Sequence, residues 1–259
     1  PSFKIDDKHP GSEVAAETAA ALSAASIVYK DEDSAYSKIL LSHAIELYDF
    51  ADKYRDDYVK AVPNAQGFYN TYSGYLDELA WGAAWLYRAT GEESYHEKFK
   101  AIADAEYSEY ELRRYWGCEG PISWDDKRPG DYILIAEITG EEKRMKTAYE
   151  YCDFMVKFKR TPGGLWYDTQ LSKWASNRYA ANAASMVVMF AKILPETDPK
   201  RKTYIDFAKS QVDYILGNNP RNINYIVGAE ANSPKSVHHR GASGVSDPSV
   251  NIPNIFTLY

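Results

Sequence analysis

The stretch SEVAAETAAALSAASIVY, residues 12–29, decides the fold class. Its alanines at 15, 16, 19, 20, 21, 24 and 25 recur at helical spacing, and side chains that small let neighbouring helices approach closely. Ser12 is placed to cap this helix, since a serine hydroxyl accepts a hydrogen bond from the first-turn amides. Along the rest of the chain the same period recurs and strand-like alternation is almost absent, so the class is all-α. Further helices fit residues 34–58, a segment opening after Ser73-Gly74 and stopping at Gly91, then 92–112, 129–139, 141–158, 177–194 and 199–216. Gly140, Pro162-Gly163-Gly164 and Pro195 punctuate them.

Composition narrows the function. The chain has 259 residues, 45% hydrophobic and 26% charged, with a formal net charge of −7, and one large domain is the simplest reading. Nucleic acid is excluded as a partner, because phosphate binding needs a basic stripe and no Lys/Arg cluster exceeds three residues. No apolar run approaches the roughly 20 residues that span a bilayer. The excess is in aromatics: 22 Tyr, 9 Phe and 6 Trp supply flat faces that suit sugar rings or wet helix packing equally. Cys118 and Cys152 form neither a metal pair nor a disulfide framework by spacing.

About eight helices in sequential pairs suit an α-solenoid or a helical toroid. The segment WGAAWLY, residues 81–87, hints at a tetratricopeptide helix, but nothing similar recurs at a period of about 34 residues. Long loops carrying Trp, Tyr, Asp and His point instead to one functional face of a toroid. The tryptophans at 81 and 85 are one helical turn apart and are assigned to packing.

Three runs carry a resemblance. FYNTYSGYLDELAWGAAWLYRATG (residues 68–91), KWASNRYAAN (173–182) and INYIVGAEANSPKSVHHR (223–240) are similar to segments of glycoside hydrolase family 9, the cellulose-cleaving endoglucanases, and the likeness extends to PSFKIDDKHPGSEVAAETAAALSAASIVYK (1–30). The resemblance implies an (α/α)6 toroid, incomplete in this chain, and inverting endo-β-1,4-glucanase chemistry on cellulose or related β-glucans. It implies sugar contacts from Tyr69, Tyr72, Trp174, Arg178, Tyr179, His238 and Arg240, with an aromatic or indole face as platform and Arg as directional donor. It also implies a structural calcium ion held by Ser73 or Gly74 carbonyls, Asp77, Glu78 and Asp125, a hard-cation set of oxygen donors that ties the third helix to the SWDDK loop.

The pattern is departed from at Asn218, where the family has Asp, and at Ala229-Glu230, where it has Phe-Gly. The family's catalytic base lies in an Asp-Ala-Gly-Asp motif and its acid in an Asn-Glu-Val-Ala-like motif, and neither occurs in this sequence. No catalytic residue is therefore assigned, and Glu119 and Glu230 have no motif behind them. The expectation is that residues 1–259 are the middle part of a family 9 catalytic domain whose acid and base lie outside it, secreted to meet a polymeric substrate, and prone to self-association if inner surfaces are uncovered. Two other readings stand beside it: a carbohydrate-binding remnant that does not cleave, and a helical interaction domain without sugar affinity.

Overall fold

A computed structural model describes residues 3–106 and 120–236. Nine α-helices lie in them: α1 (Ser12–Tyr29), α2 (Ser34–Lys53), α3 (Tyr58–Ala61), α4 (Leu76–Thr90), α5 (Glu93–Glu106), α6 (Arg128–Thr139), α7 (Glu142–Lys157), α8 (Ser176–Ile193) and α9 (Pro199–Ile215). Among the described residues no strand forms, and only isolated bridges join Asp6 to His9 and Arg160 to Trp166.

The helix ends follow local chemistry. Asp33 caps α2 by accepting from Tyr36 N, and Asp198 caps α9 by accepting from Lys200 N with Pro199 at the first position. Gly91 and Gly140 close α4 and α6 in the left-handed region, at φ 73° and 62°, which costs glycine nothing sterically. Two ends differ from the sequence reading. Gly11, not Ser12, is the N-cap of α1. Ser12 is buried, donates to the carbonyl of Ala51 at 3.1 Å and accepts from Asp56 N, so its hydroxyl joins α1 to the end of α2. The helix read over 34–58 stops at Lys53, where Ser12 Oγ takes up the Ala51 carbonyl and the Asp56 amide that a continued helix would use, and the Glu13 carboxylate accepts from Tyr58 N at 2.9 Å at the start of a separate short helix.

Hairpins α1/α2, α4/α5, α6/α7 and α8/α9 stand side by side, with α1, α4, α6 and α8 touching in sequence as an inner row and their partners outside. This is the arrangement of an α/α toroid, of which the described residues supply four hairpins. Small buried residues line the inner row: Ala15, Ala16 and Ala19 on α1, Ala80, Ala83 and Ala84 on α4, Ala180, Ala183 and Ala184 on α8. One apolar cluster fills the first two hairpins, around Tyr48, Leu79, Leu86 and Phe99, and a second fills the last two, around Tyr151, Met155, Trp166 and Phe190. Trp81 and Trp85 meet edge to face at 5.6 Å against the first cluster, so both are packing residues, as their spacing indicates. Cys152 is buried in the second cluster, and Cys118 lies outside the described residues.

The inner helix α4 comes closest to its neighbours' backbone at Gly82, where an added Cβ lies 2.9 Å from Tyr48 Cδ2 and 3.1 Å from the Ala16 carbonyl. Three helices, α1, α2 and α4, converge there. Gly82→Val is expected to lower stability by about 1–3 kcal/mol through overpacking, measured by urea denaturation, whereas Gly67→Ala, with open space around it, leaves the midpoint unmoved. An unaffected Gly82→Val protein would show that this contact does not set the helix spacing.

Candidate functional site

Because each hairpin returns antiparallel, the four inner helices begin on the same face. Polar contacts hold those beginnings together. Lys127, at the start of α6, places Nζ 3.4 Å from Glu17 Oε1 on α1 and 3.4 Å from Glu78 Oε1 on α4, and donates to the Trp124 carbonyl at 2.7 Å. Asn182 in α8 donates through Nδ2 to the carbonyl of Ile122 at 2.7 Å, which brings the fourth start beside the loop that precedes α6.

Into this face opens a cleft of about 350 Å³, lined by Tyr72, Trp124, Asp125, Arg128, Leu171 and Tyr179 among others. Trp124 is its central wall. Its ring meets Tyr69 edge to face at 5.4 Å and Tyr72 at 6.3 Å. Tyr69 is 62% exposed, Tyr72 49% and Trp124 38%, so three aromatic surfaces adjoin one another at the rim with area left for a ligand. On the opposite side Tyr179 is buried beneath the guanidinium of Arg178, 4.6 Å from its ring centre.

The polar floor consists of paired groups. Arg128 grips Asp126 through Nε and Nη2, at 2.8 and 2.6 Å. Asp125 Oδ1 accepts from Tyr72 N at 2.7 Å, and the Asp125 carbonyl accepts from Ser73 Oγ. Burial pushes the Asp125 carboxyl above its ordinary pKa, against the hydrogen bonds from Tyr72 and Ser73 that lower it.

Below the floor lie Asp77 and Glu78, both 2% exposed in the first turn of α4. Burial raises both pKa values; the charge of Asp126 adds to the effect on Asp77 against the Lys127 amide and the Arg128 charge, and that of Asp77 adds to the effect on Glu78 against the Lys127 charge. Asp77 Oδ2 accepts from Lys127 N at 2.7 Å and lies 3.4 Å from Ser73 Oγ. Asp77 Oδ1 and Glu78 Oε2 are buried without a hydrogen-bond partner. Two orphaned carboxylate oxygens in adjacent residues form a donor set that fits a hard cation. Among the described residues no three His, Cys, Asp or Glu side chains converge as a ready-made metal cage.

Of the residues expected at the site, Tyr72, Ser73, Asp125 and Tyr179 line the cleft, and Tyr69 joins it through Trp124. Gly74 takes φ 83°, a value suited to glycine, between Ser73 and the start of α4. Trp174 is 67% exposed and precedes α8 without lining the cleft, next to Ala175, which is held at φ 55°. His238 and Arg240 lie outside the described residues, as does Glu119. Glu230 accepts from Asn224 Nδ2 at 3.2 Å within its own loop, a structural tie away from the cleft lining. Sequence reading missed Trp124, Arg128 and Lys127. The signal for Trp124 was an aromatic directly before the Asp125-Asp126 pair.

Comparison with known proteins gives consistent matches. Glycosyl hydrolase family 9 matches residues 1–257. The chain is 44% identical over 256 residues to Endoglucanase A of Bacillus pumilus, covering 94% of this chain and 37% of that protein. It is 39% identical to Endoglucanase 15 of Arabidopsis thaliana, covering 95% and 52%. Among solved structures, the endoglucanase of the termite Nasutitermes takasagoensis superposes with a TM-score of 0.83 at 37% identity, covering 96% of this chain and 54% of that one. Endoglucanase CelQ of Clostridium thermocellum, complexed with cellotetraose, gives 0.79 at 35% identity, covering 90% and 38%. The chain thus spans about a third to a half of the length of these relatives.

Lys127 is buried between the starts of three helices, and its loss would leave carboxylates facing one another. Lys127→Ala is expected to cost about 3 kcal/mol or more in urea denaturation. A midpoint equal to wild type would show that the helix starts are held by apolar packing alone.

Proposed function

The chain belongs to glycosyl hydrolase family 9, and on that premise we propose that it forms the glucan-binding part of an endo-β-1,4-glucanase that hydrolyses cellulose or a related β-glucan with inversion. The observation that carries this is the aromatic cleft itself. Tyr69, Tyr72 and Trp124 leave exposed aromatic surface on which glucose rings can rest, while Arg128 and Asp125 in the cleft lining offer polar partners to the sugar hydroxyls. Two relatives of known structure, CelQ with cellotetraose and Cel9M with cellobiose, are named with such ligands bound. Trp174, Arg178, His238 and Arg240 are assigned to the same substrate. A polymeric substrate places the enzyme outside the cell.

Inversion needs a carboxylic acid to protonate the leaving oxygen and a carboxylate to activate water, roughly 6.5–9.5 Å apart. The cleft carboxylates of this chain are committed elsewhere: Asp126 to Arg128, and Asp125 to the backbone of Tyr72. That favours an acid and base at positions other than these, and it equally supports a second reading in which the chain holds glucan without cleaving it. The 259-residue chain, with its intact mass checked, is expected to bind cellotetraose in titration calorimetry and to release no reducing sugar from carboxymethyl cellulose. Trp124→Ala is expected to weaken binding by about tenfold, the loss of one stacking platform. Absence of binding sinks the glucan reading. Sugar release abolished by Trp124→Ala would place the catalytic carboxylates within this sequence.

A structural calcium ion belongs to the same proposal. Ser73 touches both Asp77 and Asp125 where the cleft loop enters α4, and the unpartnered oxygens of Asp77 and Glu78 support a cation held there by Ser73, Gly74, Asp77, Glu78 and Asp125. Its charge stabilises buried carboxylates in their ionised form and draws the loop onto the helix start. Millimolar calcium is expected to raise the thermal midpoint of chelator-treated protein by several degrees, and Asp77→Asn to abolish the rise. Identical midpoints with calcium and with chelator would remove the ion from the account.

A further inference from the structure

The segment that carries the rim tyrosines has almost nothing apolar to hold it. From residue 60 to residue 74 no side chain is buried or packs against an apolar core cluster, and Phe68 and Tyr69 are among the most exposed aromatics of the described chain. Apart from the edge contacts of Tyr69 and Tyr72 with Trp124, such a segment is ordered by its polar contacts. On the side facing the cleft, those contacts are Tyr72 N to Asp125 and Ser73 Oγ to the Asp125 carbonyl.

On the other side they run to a single carboxylate. Glu13, in the first turn of α1, is 7% exposed. Both of its oxygens lie 2.9 Å from Tyr58 N, and Oε1 also accepts from Thr71 Oγ1 at 2.7 Å. The Tyr58 hydroxyl in turn donates to the carbonyl of Tyr69. Glu13 therefore holds both ends of the loop, at Tyr58 where it departs and at Thr71 where it returns, and Thr71 sits between the two tyrosines at the rim. The anchor point is rigid, since α1 is packed along its length against α2 and α4. A carboxylate at a helix N-terminus is also favoured by the helix dipole.

We propose that Glu13 is a positioning residue for glucan binding: it fastens the 58–71 loop to the inner helix α1 and so fixes where Tyr69 and Tyr72 stand at the cleft rim. Glu13 does not line the cleft, so its effect on a ligand passes through Thr71 and Tyr58. The inference rests on the glucan reading above, and two readouts separate their fates. The first is hydrogen exchange of the amides of residues 62–75 by mass spectrometry; the second is the affinity for cellotetraose. Glu13→Ala is expected to speed exchange in that segment about tenfold while α4 and α8 stay protected, and to weaken cellotetraose binding by a similar factor, as loss of a hydrogen bond to a charged group implies. Glu13→Gln keeps one carbonyl acceptor and recovers part of the affinity.

Thr71→Val alters only the loop side of the contact and keeps the test open should Glu13→Ala fail to fold. Alone it weakens binding by a few-fold, and on the Glu13→Ala background it adds nothing, because the two groups act through one hydrogen bond. Wild-type binding that Glu13→Gln and Thr71→Val leave unchanged, with the loop exchanging as before, overturns the inference and leaves the glucan reading intact. A wild-type chain that does not bind cellotetraose overturns the glucan reading, and the affinity role of Glu13 with it.

Discussion

The inner helices α1 and α4 can approach as closely as they do because the side chains between them are small. At Gly82 there is no room even for a methyl group between Tyr48 and the backbone of α1, and alanines continue the same close contact along α1, α4 and α8. Close packing of this kind is unforgiving, since interiors at crystal-like density transmit a displaced methylene to their neighbours. The spacing of the inner row fixes where the helix starts emerge, and the helix starts fix the cleft.

Those starts carry unsatisfied amides and the positive ends of four helix dipoles, an environment that tolerates acidic side chains. Glu13, Glu17, Asp77 and Glu78 all occupy first or second turns on that face. The fold turns the acids to different uses. Glu17 and Glu78 share Lys127, Glu13 secures a loop, and Asp77 receives the backbone of Lys127 while keeping an oxygen unpaired. Above this polar layer the aromatic rim is thin and well exposed. The division of labour is physical: polar contacts order the loops, and aromatic faces are left available for a ligand.

Much of this was legible in the sequence, and the rest was not for identifiable reasons. Helix ends marked by local punctuation were readable: Asp33, Gly91, Gly140 and Pro199 act through their own backbone neighbourhood. The end of α2 was not, because the contacts made just there come from Ser12, 39 positions away from Ala51 and 44 from Asp56. Ser12 carried the correct residue type for a cap but is spent on a contact with Ala51 that only the tertiary fold creates. At the site, Tyr72, Asp125 and Tyr179 were found by motif and do meet at the cleft. Trp124 escaped because its role depends on facing Tyr69 and Tyr72 across more than fifty residues of chain.

The central claim is that the shared face of the four inner helices is a sugar-binding face. The most direct measurement is a crystal structure of the 259-residue chain grown with cellotetraose. The account predicts glucose rings stacked along Trp124 and Tyr72, with hydroxyls within hydrogen-bond distance of Arg128 or Asp125. Density for the oligosaccharide at any other face, or a cleft left to solvent at saturating ligand, would contradict it.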